Sequence, residues 1–178
     1  MEHDGFYELI SRRCSCRDYD GSPVPREAID ACLEAVRLAP SACNAQPYRV
    51  FVCTGGSAAA AAKLMQGAGM NRFTSSVPCF FIFTEDSYNA SAAAGSRLKD
   101  QDYRSVDIGI AAAQLTLCAC SLGLASCIIG WFDEKELQKL LGTQQRIRLA
   151  VALGHASGDD APREKKRKTL DRLVKFLD

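Results

Sequence analysis

The strongest pattern in the chain is "SVDIGIAAAQLTLCACSLGL", Ser105 to Leu124, a nearly uncharged run that is apolar on all sides at helical spacing. Such a segment in a globular chain predicts a buried central helix, with Gly123 well placed to end it. "PREAIDACLEAVRLAP" has one apolar face instead: Ile29, Cys32, Leu33 and Val36 recur at helical spacing, Pro25 suits a first turn, and Pro40 stops the helix. Phe6 to Arg13 reads as a short helix, and "SAAAAAKLMQ" is a strong helix former. "YRVFVCT" (Tyr48 to Thr54) and "PCFFIFTE" after Val77 are β-rich and predict strands. "ASCIIGW" predicts a short buried strand and "IRLAVALG" another. Between them Asp133 and Glu136 form a capping signal ahead of Leu137, Leu140 and Leu141. After the polar loop "HASGDDAPREKKRK", Leu170, Leu173, Val174 and Leu177 predict a closing helix. The Ala-, Gly- and Ser-rich stretch from about Asp86 to Asp100 reads as a mobile lid or an insertion.

These elements predict an α+β fold: a few strands, several helices and one very hydrophobic central helix. There are no repeats and no obvious linker, so residues 1–178 are read as one domain, long enough to bury a sizeable core. A formal net charge of +1 gives no global field for drawing in nucleic acid or acidic membranes. No apolar run approaches the roughly 20 residues needed to span a bilayer. The acidic, polar start "MEHDGFYELI" does not read as a signal peptide, so the cytosol is expected.

Nine cysteines is a high count for such a compartment. No C-x-x-C occurs, and only His3 and His155 could complete a site, which argues against a zinc module. Cys32, Cys53, Cys79 and Cys118 lie in apolar runs, where a reduced thiol behaves as a small hydrophobe. The spacings Cys14-x-Cys16 and Cys118-x-Cys120 leave open a second class of function, a cysteine-based redox sensor or metal-binding protein.

Three polar stretches could carry chemistry. "RRCSCR" sets three arginines and two cysteines at a helix end; alone, it reads as a solvated terminus. In "APSACNAQPYRV", Ser41, Asn44 and Gln46 suit hydrogen bonding to the edge of a planar heterocycle, and Pro47 pushes Gln46 towards an extended conformation; a polar loop explains them almost as well. "REKKRK" is a basic run of the kind usually solvated. A nucleic-acid-binding role for it is disfavoured by the near-neutral charge and the lack of interleaved aromatics.

Taken in order, "RRCSCRDY", "APSACNAQPYR", "DIGIAAAQLTLCACSLGLASCIIGWF" and "KKRKTLDRLV" resemble the nitroreductase family of FMN-dependent oxidoreductases, over nearly the whole chain. The resemblance implies an intertwined α+β homodimer with a central mixed or antiparallel sheet and two FMN sites at the subunit interface. It implies a ping-pong cycle in which hydride passes from NAD(P)H through flavin N5 to an electron-poor acceptor, such as a nitroaromatic or a quinone. No protein nucleophile or metal is then required. Arg13 and Ser15 match residues holding the FMN phosphate and ribityl chain, Cys14 falls at another cofactor-lining position, and Lys165 and Arg167 match the pair that closes on the phosphate. Arg17 matches a cation near the flavin pyrimidine edge, and Asn71 an amide that reaches the ring. The backbone around Ile129 and Gly130 matches the donor to N5. Pro40, Ser41, Ala42 and Asn44 match the segment supplied by the other subunit, with Gln46 beside them. Three departures stand out: Tyr48 where the family usually has Trp, Thr169 in place of a proline, and a short segment between Asn71 and Asp107.

Overall fold

A computed structural model of the chain describes residues 3–158 and 164–177. The two most apolar strands, β2 (Cys79–Glu85) and β4 (Ile147–Gly154), pair at the centre of a four-stranded sheet. β1 (Tyr48–Thr54) flanks β2 and β3 (Ala125–Ile129) flanks β4, so the order is β1-β2-β4-β3. Each pairing is antiparallel, which decides between the mixed and antiparallel expectations. Side chains alternate across β2 as the pleat requires: Phe80 and Ile82 enter one core and Phe81 and Phe83 the other, all four fully buried.

Helices cover both faces. α3 (Gly55–Leu64) and α6 (Glu134–Leu141) pack on the first core through Ala58, Ala61, Ala62 and Leu137. α2 (Arg26–Arg37) and α5 (Arg104–Ser121) pack on the second, through Ile29, Cys32 and Val36 and through Ile108, Ala111, Leu115 and Ala119. The result is three layers around one sheet.

α5 is the helix expected at 105–124, but it is not buried all round. Val106, Gly109 and Ala113 face outward, because in the single chain the sheet and α2 cover only one side. Its end is well formed: Gly123 takes φ 75°, the Leu124 N–H donates to the Ala119 carbonyl at 2.9 Å, and the Gly123 N–H donates to Cys120 at 3.2 Å. Those are the two bonds of a Schellman motif.

The stretch read as a mobile lid or an insertion contains α4 (Ala90–Lys99), a helix whose N-cap Asn89 accepts from the Ala92 N–H at 2.9 Å. Alanine propensity and this cap explain it. The closing helix shrinks to a single turn, α7 (Leu170–Leu173), with Leu170, Leu173, Phe176 and Leu177 mostly exposed. Its helical spacing has no surface within the chain to bury against. Residues 159–163 of the polar loop before it lie outside the described residues. No helix among the described residues is long and apolar enough to cross a membrane.

Candidate active site

The first group of polar residues assembles where α1 (His3–Arg12) meets the end of α5. Arg12 Nη2 donates to the Cys120 carbonyl at 3.0 Å, placing a cation on the negative end of that helix. The chain then runs extended: Ser15 bridges Ser126 of β3, and the Cys16 N–H donates to the Ser126 carbonyl at 3.0 Å. From the other end of the chain, Lys165 Nζ donates to the carbonyls of Ile10 and Arg13, both at 2.7 Å. These contacts frame a cleft of about 390 Å³ whose lining includes Arg12, Arg13, Cys14, Cys16, Cys120 and Ser126. The Arg13 guanidinium is half-buried and makes no hydrogen bond or ion pair with a described residue. A forked guanidinium left free beside an ammonium suits an organic phosphate. Arg167 is exposed and its Nη1 turns to the Lys166 carbonyl at 2.9 Å, while the exposed Arg17 follows the buried Cys16.

A second group sits at the far end of β3. Ile129 is buried and Gly130 exposed. Asn71, in left-handed backbone at φ 52°, donates through Nδ2 to the carbonyls of Met65 and Trp131, both at 3.2 Å. Trp131 Nε1 donates back to the Gly67 carbonyl at 3.0 Å. The Asn71 N–H groups therefore fix the turn beside Gly130, leaving its amide oxygen for any ligand.

The third group, Pro40 to Gln46, is a strained loop. Cys43, Asn44 and Gln46 all have positive φ, at 52°, 49° and 46°. Each such residue costs on the order of 1 kcal/mol or more, and the loop persists only because its surroundings hold it. The Gln46 N–H donates to Ser41 Oγ at 2.9 Å, and its Nε2 donates to Asn44 Oδ1 at 3.0 Å. The Ala42 N–H donates to Asp107 Oδ1 at 3.1 Å, and Asn89 Nδ2 to the Cys43 carbonyl at 3.1 Å. Gln46 is thus left-handed rather than extended: Pro47 bars the right-handed helical region, and the Ser41 hydroxyl selects between the conformations that remain. Burial, and then the Asp107 carboxylate, pushes the Tyr48 phenol up from its ordinary value, keeping it protonated.

The structure brings Arg13, Cys14, Ser15 and Lys165 together at one end of α5. It places Pro40, Ser41, Ala42, Asn44 and Gln46 at the other end, held by Asp107. From Asp107 to Cys120 the helix rises about 20 Å, at 1.5 Å per residue, so within one chain these groups form no common pocket. Sequence reasoning passed over Asp107, Asn89, Arg12 and Ser126. Asp107 had a signal: it is the one acidic residue in α5. Ser126, inside an apolar strand, had none.

A family model described as the nitroreductase family matches residues 10–155. An FMN reductase [NAD(P)H] of Bacillus subtilis is 33% identical over 127 residues, covering 65% of this chain and 50% of that protein. The chain therefore spans about half of that relative's length. Among solved structures, a nitroreductase-like protein from Streptococcus mutans matches with TM-score 0.84 at 19% identity, over 98% of this chain and 99% of that one. A nitroreductase family protein from Streptococcus pneumoniae matches with TM-score 0.81 at 21% identity, over 97% and 100%. Both are likenesses of fold.

Proposed function

The chain belongs to the nitroreductase family, and from that premise we propose that it is an FMN-dependent oxidoreductase. It passes hydride from NAD(P)H to an electron-poor acceptor such as a nitroaromatic or a quinone, and it works as a homodimer with two shared sites. The observation that carries the reading is the split of the polar groups between the two ends of α5, with a cationic cleft at one end and a strained polar loop at the other. A second copy laid antiparallel along the outward face of α5 would set the loop of one chain against the cleft of its partner. That face carries Val106, 50% exposed, with the exposed Gly109 and Ala113 beside it, and small and apolar residues of this kind call for cover.

In this reading Arg13 and Lys165 hold the cofactor phosphate, Ser15 and Cys14 lie along its chain, and Arg167 closes over it. Arg17, Asn71 and the backbone of Ile129 and Gly130 serve the ring, with Ser41, Ala42, Asn44 and Gln46 reaching it from the partner beside Pro40. FMN, when bound, supplies the redox chemistry by taking hydride from the nicotinamide and returning it to the acceptor. The protein's part is to bind and orient, and Asn71 does the latter by fixing the Gly130–Trp131 turn.

The test is reconstitution. Purified protein mixed with FMN and passed through a desalting column should emerge yellow and oxidise NAD(P)H only when an acceptor such as menadione is added. A colourless protein with no flavin after the column contradicts the reading.

A further inference from the structure

The flavin chemistry proposed above gives no part to the cysteine pairs Cys14-x-Cys16 and Cys118-x-Cys120, and the structure splits both pairs. Cys16 is 2% exposed and its Sγ donates to the Asp18 carbonyl at 3.0 Å. Cys118 turns inward, towards Cys32 of α2. The other member of each pair goes elsewhere. Cys14 and Cys120 are both half-buried, and both line the cleft that also holds Arg12 and Arg13. Two half-buried cysteines from distant parts of the chain thus line a cleft of about 390 Å³ with two arginines, and Cys120 Sγ donates to the Leu9 carbonyl at 3.9 Å. Water alone needs far less room, about 30 Å³ per molecule. The guanidiniums favour an anionic visitor.

We propose that Cys14 and Cys120 are sites of S-thiolation by an anionic low-molecular-weight disulfide, such as oxidised glutathione, and that thiolation and FMN binding exclude each other. The proposal rests on the reading of this cleft as the phosphate end of the flavin site. In the step, the cysteine thiolate attacks one sulfur of the disulfide. A new S–S bond forms, the old one breaks, and the second glutathione leaves as a thiolate that takes up a proton. The protein thiol is oxidised and the disulfide reduced, with no further reagent. An adduct on either cysteine fills the space beside Arg13, and its carboxylates compete for the same guanidiniums.

The chain carries its own controls. Cys32 and Cys79 are fully buried, and burial first of all pushes each thiol up to about 12, so both should stay unmodified while the fold is intact. The experiment treats flavin-free protein with oxidised glutathione and follows each cysteine by peptide mass spectrometry, alone and with FMN in excess. Cys14 and Cys120 should gain the adduct in the flavin-free protein. With FMN at about a hundred times its dissociation constant, only about 1% of sites are free, so the reaction should slow about a hundredfold. Protein thiolated first should fail to take up FMN and recover when dithiothreitol removes the adduct. An FMN titration on the same preparation separates the failures. FMN bound without protection of Cys14 and Cys120 overturns this proposal alone, as does a flavin-free protein in which neither cysteine reacts. If no FMN binds at all, the flavin reading falls, and the exclusion proposed here falls with it.

Discussion

Arg13 presents a half-buried guanidinium to the cleft without a hydrogen bond or ion pair to any described residue. A cation held in that state is poised for a ligand, since a charge-assisted hydrogen bond contributes about 1.5–3 kcal/mol. Arg13→Ala should therefore weaken FMN binding by about ten- to a hundredfold, read by quenching of flavin fluorescence. Unchanged affinity would remove Arg13 from the phosphate end. Lys165 is different, because its ammonium already donates to two carbonyls, so it fixes the backbone that carries Arg13 as well as adding charge. Sequence order made both residues legible, since each belongs to a run of basic residues in a recognisable motif. What it could not supply was the restraint on the polar loop at the other end of α5. Asp107 and Asn89 hold the strained loop through backbone atoms of Ala42 and Cys43, and a backbone contact leaves no pattern in the side chains it joins.

The segment from Arg13 to Asp20 is an element of a kind, docked on the ends of β3 and β4 by backbone pairing. Tyr19 bridges Ala156, the Asp20 N–H donates to the His155 carbonyl at 3.1 Å, and the Ser157 N–H donates to Asp18 at 3.2 Å. Gly154 permits this approach: a Cβ there would lie 2.8 Å from Pro78 Cδ and 2.9 Å from Tyr19 Cδ1. Gly154→Ala should cost about 1–3 kcal/mol in urea unfolding and loosen the segment that carries Arg13, weakening FMN binding without touching its contacts. Wild-type stability in this variant would mean that both Pro78 and Tyr19 can move aside freely. At the opposite end of α5 an ion-pair network ties the helix start to β2 and β4. Arg104 pairs with Asp102 at 2.9 Å and with Glu85 at 3.1 Å, and Arg148 pairs with Glu85 and reaches Asp102 at 3.2 Å. Hydrogen bonds from Arg104, and then from the Tyr88 hydroxyl, hold the Asp102 carboxyl far below the usual carboxylate range, against an opposing effect of burial. A carboxyl with a depressed folded pKa contributes stability above its unfolded pKa and loses it as the pH falls towards the folded value. Asp102→Asn should therefore flatten the acid side of the stability profile below about pH 4, the ordinary carboxylate value. With the Asp102 side chain 39% exposed, the loss at neutral pH should be about 1 kcal/mol or less. An unchanged acid slope by thermal denaturation would contradict it. Strands were the most legible elements: β1 and β4 fall where the apolar runs between turn residues place them. α4 was not legible as a helix because its Ala, Gly and Ser content reads equally as a linker, and only the Asn89 cap decides. α7 failed in the other direction, since helical spacing without a surface to bury against does not make a helix.

The whole molecule has its cationic cleft and its strained polar loop at two ends of one helix, and two of its exposed apolar surfaces bear on that split. One is the outward face of α5; the other is the C-terminal stretch, where Phe176 is 87% exposed and Leu177 83% exposed. Both are accounted for if two copies wrap around each other, and the split site then becomes two complete ones. The decisive measurement pairs two defective chains. One carries Arg13→Ala with Arg167→Ala, and the other carries Ser41→Ala with Asn44→Ala. Each homodimer should be impaired in acceptor-dependent NAD(P)H oxidation. In the purified heterodimer one site collects every defect and the other collects none, so activity should return to about half that of the wild-type dimer. A heterodimer as inactive as its parents would mean that each site lies within a single chain, and the shared-site account would be wrong.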